Sequence, residues 1–191
     1  KFLPMAVIAQ NSGSASLEMT GADLDATDRA TAQANGGWMV HQVGLIDITA
    51  SVERFDDLTA DYHDILVAQN PVLLEFSFAS GALVCRGWFV MTADNASGEV
   101  SGQETESTEW ALYGKTDINF GYEYTGSLNA GIAKLLDAFF GRTTVTGQYL
   151  PDGTNGLSGD AHVSAMTLST DNDREQFSAT LLAAGALAEV P

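Results

Sequence analysis

Asp23, Asp25 and Asp28 are spaced like the first oxygen ligands of a calcium loop. Such a loop turns on a glycine at its sixth position and closes on a bidentate glutamate at its twelfth. Neither falls in place here, position twelve being Ala34. Gly156-Leu157-Ser158-Gly159-Asp160 comes near a nucleophile elbow, but that turn needs glycine two places after the serine, where this chain has Asp160. His41, His63 and His162 are scattered and have no partner at a spacing that would make a general base. Cys85, the one cysteine, lies in the apolar run Leu83-Val84-Cys85; it reads as a buried structural thiol and allows no intrachain disulfide. Gly141-Arg142-Thr143 lacks the lysine and spacing of a phosphate-binding loop. Carboxylates are so numerous that finding two near each other would say little about acid–base catalysis. Trp38, Trp88 and Trp110 read as core or interface anchors rather than a sugar platform. The expectation is a protein with no catalytic residues, no cofactor and no metal site.

Charge narrows the choice of partners. The chain of 191 residues carries 25 acidic and 8 basic side chains, a formal net charge of −17, spread along its length. Tight binding to phosphate backbones relies on lysine and arginine displacing counterions, so nucleic acid should be repelled. An acidic surface also keeps a protein dispersed. Hydrophobic residues at 45% exclude general disorder, and no apolar run approaches the roughly 20 residues of a membrane span. The start, residues 1–9, is basic and apolar but short and interrupted by Pro4, unlike a secretory signal.

The elements that would position these residues are mainly strands. Residues 4–8 and 15–19 flank Asn11-Ser12-Gly13 as a first hairpin. Residues 20–37, rich in Ala, Thr, Asp, Gly and Asn, form a loop long enough to serve as a contact arm. Residues 42–54 alternate as a strand, with a bulge or bend near Gly44. A short amphipathic helix follows, with Tyr62, Ile65, Leu66 and Gln69 at helical spacing and Asn70-Pro71 ending it. Strands at 72–78, 83–91 and 100–113 are separated by turns at 79–81 and 94–98.

The same order returns: a strand at 117–124, a helix carrying Ile132, Leu135, Leu136, Phe139 and Phe140, opened by Ser127 or Asn129 and closed by Gly141, then strands at 143–150, 162–168 and 176–183. Turns fall at Pro151-Asp152-Gly153 and Asp171-Asn172-Asp173. Identity between residues 46–114 and 116–185 is low; the repeat rests on element order and the pairs Asp47/Asp117, Leu58/Leu128 and Gly114/Gly185. The expected organisation is a mainly β chain of two pseudo-repeats, residues 1–115 with the hairpin and the long loop, and residues 116–191.

Several segments resemble the major tail tube proteins of long-tailed phages with non-contractile tails. Leu24-Asp25-Ala26-Thr27-Asp28-Arg29, Gly36-Gly37-Trp38 and residues 44–52 are similar to the loop and strand that open that family's domain. Ala138-Phe139-Phe140, Gln148-Tyr149-Leu150-Pro151-Asp152-Gly153 and Ala183-Ala184-Gly185-Ala186-Leu187 are similar to its second half. The resemblance implies a β-sandwich with flanking helices, and rings whose inner sheets join into a barrel and stack into a tube. That tube is an acidic conduit for DNA, and the tube of the type VI secretion system is related. It also implies an inter-ring loop, placing Asp23, Asp25, Asp28, Arg29 and Trp38 at the contact between rings. Partners would be further copies of the chain, three per ring if both repeats line the bore and otherwise six, with other tail proteins and passing genomic DNA. The location would be the virion tail, after synthesis in the bacterial cytoplasm. Against this stand a terminal ring of the same fold, a β-sandwich module binding carbohydrate or calcium, and an acidic hydrolase.

Overall fold

The structure is a computed structural model and describes residues 12–25, 41–55, 66–98, 104–113, 120–171 and 174–190. Its strands are β1 (Ser12–Asp25), β2 (His41–Phe55), β3 (Val72–Phe78), β4 (Leu83–Gly98), β5 (Glu104–Leu112), β6 (Phe120–Tyr124), β7 (Thr144–Tyr149), β8 (Gly156–Asp171), β9 (Arg174–Ala183) and β10 (Ala188–Val190). Helix α1 (Ala130–Gly141) separates β6 from β7, and residues 66–68 are helical. The mainly β class expected from the sequence is the class found. Hydrogen-bonded neighbours follow the order β10-β8-β1-β2-β5-β4-β3, with β6 on β4, and β7 and β9 on β8.

Three strands follow the helical residues 66–68, and three follow α1. The three strands are 7, 16 and 9 residues long in the first round (β3, β4, β5) and 6, 16 and 10 in the second (β7, β8, β9). In both rounds the long middle strand pairs with the one before it, β4 with β3 and β8 with β7.

Two compact units divide the chain. The first comprises Lys1–Glu18, Ile48–Leu128 and Thr167–Phe177; the second comprises Met19–Asp47, Asn129–Met166 and Ser178–Pro191. They interleave along the sequence; the first holds β3, β4 and β5, and the second holds β7 and most of β8 and β9.

In the first unit, alternation puts Val72, Leu74, Phe76 and Phe78 of β3 on one buried face. They meet Leu83, Cys85, Phe89 and Met91 of β4, with Trp110 of β5 and Ile48 of β2 completing the core. The rings of Phe76 and Phe89 pack edge to face at 6.0 Å. Trp110 donates its indole N–H to the Thr108 hydroxyl at 2.9 Å, so this buried polar handle is satisfied. Burial pushes the Cys85 thiol up to about 12, in line with the inert role expected of it.

On one edge β4 pairs with β3 over Leu83–Phe89; on the other it pairs with β6 over Leu83–Gly87 and with β5 over Phe89–Gly98. A register shift between Met91 and Ala93 carries β4 onward. Asp94-Asn95-Ala96-Ser97-Gly98, expected as a turn, is therefore strand. Its polar composition misled because the ladder to β5, not burial, holds it.

The β3–β4 connection is a 3-10 turn in which Ala79, Ser80 and Gly81 all have positive φ (53°, 54° and 85°). Two of these are not glycine, a backbone cost of about 1–2 kcal/mol each. Glu175 at the start of β9 offsets it: its carboxylate accepts the Ala79 N–H at 2.6 Å and the Ser80 N–H at 3.3 Å. Phe177 packs edge to face on Phe78 beside it.

In the second unit α1 starts where the Asn129 side chain accepts the Gly131 N–H at 2.8 Å. It buries Leu136, Ala138 and Phe139. Arg142, in the left-handed region at φ 52°, ends it, with Thr143 N–H bonded to Ala138 O and Arg142 N–H to Phe139 O. Gly141, expected to close the helix, is its last residue.

The β7–β8 turn is fixed by Asp152, whose carboxylate accepts the backbone N–H groups of Thr154 (2.9 Å) and Asn155 (2.6 Å) and the Asn155 side-chain amide (2.9 Å). These bonds lower its pKa from the ordinary 3.8 to about 2, the Asn155 side chain contributing most. At Gly156 a Cβ would stand 1.8 Å from Tyr149 O, so β8 can begin there only with glycine.

Two expectations near β1 are corrected. Ser12-Gly13, expected in a hairpin turn, already belongs to β1, whose neighbours are β8 and β2; the partner residues 4–8 lie outside the described residues. Thr20–Asp25, expected at the start of the long loop, continues that strand. A glycine is admitted at position 21 because Val43 of β2 fills its place: a Cβ there would meet Val43 Cγ1 at 2.2 Å. Reciprocally, Leu24 of β1 lies over Gly44 of β2. Along β2 the buried positions are Val43, Ile48 and Ala50, so their phase changes between Val43 and Ile48.

Candidate functional site

Asp23 and His41 are the first sequence-selected residues to be brought together. Both Asp23 oxygens approach His41 Nδ1, at 2.9 and 3.1 Å, with the two side chains 47% and 21% exposed. Their separation of 18 positions hid the pair from any local motif. The contact links β1 to β2, and at this exposure even a charged pair is worth only about 0–1 kcal/mol. Asp25 is exposed at the end of β1. Asp28, Arg29 and Trp38 lie outside the described residues, as does His63.

The remaining sequence candidates fall on strands. The near-elbow Gly156–Asp160 is the start of β8, with Asp160 accepting the Thr146 hydroxyl at 2.6 Å. His162 lies opposite Thr144, its Nδ1 buried. Arg86 pairs with Glu75 at 2.7 Å on the outer face of β4 and β3, beside a shallow depression lined by Val84, Gly121, Tyr122 and Glu123. Among the described residues no group of three or more His, Cys, Asp or Glu could hold a metal ion, and no helix is long and apolar enough to cross a membrane.

What the fold does present is hydrogen-bonding capacity along strand edges. β3, β6, β7, β9 and β10 each have a single strand neighbour among the described residues. Such an edge carries a row of N–H and C=O groups ready to pair with another chain, and proteins that stay monomeric blunt it with charge, proline or a bulge. β3 and β6 carry Glu75 and Glu123, and β10 carries Glu189. β7 (Thr-Val-Thr-Gly-Gln-Tyr) has no charged residue, and β9 has none after Glu175.

Exposed apolar side chains gather in the same unit. Tyr149 of β7 is 70% exposed and sits opposite Leu157 of β8, itself 41% exposed. Leu187, next to β10, covers Gly159 on that face. Neither the edges nor this cluster was legible as a site, because each depends on which strand lies beside which.

No protein-family model and no curated protein matches the chain, so a functional reading has to rest on these edges, the similar lengths of β3–β5 and β7–β9 and the charge.

Proposed function

We propose that this chain is a structural virion protein, a tail tube subunit that assembles into rings stacked as an acidic conduit for DNA. The observation that carries the proposal is the set of strands with a single strand neighbour among the described residues, in a sheet where β3–β5 and β7–β9 have similar lengths. Joining such edges around an axis removes them, and head-to-tail stacking of the resulting rings gives an open filament. The formal charge of −17 supports it, since a bore lined by carboxylates lets a polyanion slide without adhering.

Electron microscopy of the purified full chain tests the reading: rings or tubes are expected, and dispersed single particles at high concentration would overturn it. The loop read from the sequence at residues 20–37 is proposed as the contact to the next ring; its first part, Thr20–Asp25, is strand, and residues 26–40 lie outside the described residues. Replacing residues 27–39 by a short glycine-serine link should leave rings that no longer stack. Filaments of normal length from that variant would remove the role given to the segment.

A further inference from the structure

We infer that the seam between neighbouring copies is an edge-to-edge pairing of β9 of one copy with β7 of a second copy. The inference rests on the ring reading and assigns its contact surface.

In the second unit, β8 has β7 on one edge along Leu157–His162, while β10 pairs with the same strand at Gly156–Ser158 and therefore lies on the other edge. β9 shares the β10 edge: Ala184 N–H donates to Asp160 O at 2.8 Å, and the Ser164 hydroxyl donates to Thr180 O at 3.3 Å. The outer edges of β7 and β9 thus face opposite ways, which is what a repeating heterologous contact needs.

Charge selects this pair of edges, and their opposite facing suits a second copy as the occupant. Two chains of net charge −17 repel each other, least where carboxylates are lacking. Of the edges with one neighbour among the described residues, β7 and β9 beyond Glu175 are the two without charged side chains. β9 also has no buried position. Ser178–Leu181 is exposed at every position, with Leu181 at 47%. A neighbouring β7 would cover it and bring Tyr149, now 70% exposed, into contact.

Hydrogen–deuterium exchange on the full chain, dilute against assembled, tests the seam without altering the sequence. Assembly should slow the amides of β7 and β9 by at least about tenfold and leave those of β3 and β6 unchanged. Assembled protein in which β7 and β9 exchange as fast as in the dilute state overturns the seam and leaves the ring reading standing. A chain that never assembles overturns both.

Ala179→Pro gives an independent arm. Thr180 O and Ala184 N–H face β8, so by strand alternation the Ala179 N–H faces outward and its loss spares the β8 ladder. The variant should melt like the parent yet fail to form rings. Rings at the parent's concentration from a folded variant overturn the seam; if the variant does not fold, the exchange result decides.

Discussion

Replacing Gly21 by alanine should destabilise the protein, and shortening Val43 should cancel most of that damage. The new Cβ would stand 2.2 Å from Val43 Cγ1, with Ser164 O at 3.4 Å. Ordinary carbon contacts lie at about 3.5–4.0 Å, so the valine must yield by more than an ångström. As a β-branched residue in a strand it has few rotamers to retreat to, and overpacking of this kind costs about 1–3 kcal/mol. The backbone at Gly21 is not left-handed, so the clash is the whole penalty.

Val43→Ala alone removes two methyl groups from a side chain that is 8% exposed. At about 0.8 kcal/mol per buried carbon plus a cavity term, it should cost about 2 kcal/mol. In the double variant the alanine Cβ at position 21 occupies space the valine has left. Its total should stay near that of Val43→Ala, giving a favourable coupling of about 1–3 kcal/mol. Urea denaturation of the four proteins, followed by tryptophan fluorescence and circular dichroism together, measures it. Additivity within about 0.5 kcal/mol would refute the interlock between β1 and β2.

Three further outcomes follow from local geometry. Asp152, held down to about 2, stabilises the fold above its ordinary 3.8, and that contribution is lost as pH falls through about 2. Asp152→Asn should therefore flatten the pH dependence of the melting temperature in that window, and Asn155→Ala should move the Asp152 carboxyl titration back toward 3.8 by NMR. Cys85, pushed up to about 12, should resist a thiol reagent at pH 8 in native protein and react at once in denaturant; rapid native labelling would contradict its burial. Arg142→Gly should raise stability by about 0.5–1 kcal/mol in the same denaturation assay, since glycine takes the left-handed helix end without a Cβ penalty.

Elements with a strong local signature were legible in the sequence. The alternation of Val72, Leu74, Phe76 and Phe78 delimits β3 at both ends, and Asn129 with Leu136 and Phe139 marks α1 and its start. What escaped is held by neighbours rather than by composition. β4 and β8 run to 16 residues because partner strands support Asp94–Gly98, which read as a turn, and Gly156–Asp160, which fell outside the strand expected at 162–168. Thr20–Asp25 is strand because Val43 and Leu24 fill the space over two glycines, a compensation visible only in cross-strand register. Asp23 read as part of a loop, but it lies on β1, and its partner His41 stands across a strand pair. β10, three residues long, offers too little pattern to read.

The grip of Glu175 on the Ala79–Ser80 turn spans 96 positions of chain, and β1 in turn waits for β8. A growing polypeptide on the ribosome can draft the β3–β4 hairpin early, but its left-handed corner has no carboxylate to lean on until residue 175 has emerged. β1 likewise lacks its β8 neighbour until residues 156–171 have emerged. Maturation should thus be abrupt, with a nascent state that profits from a chaperone until β8 and β9 arrive.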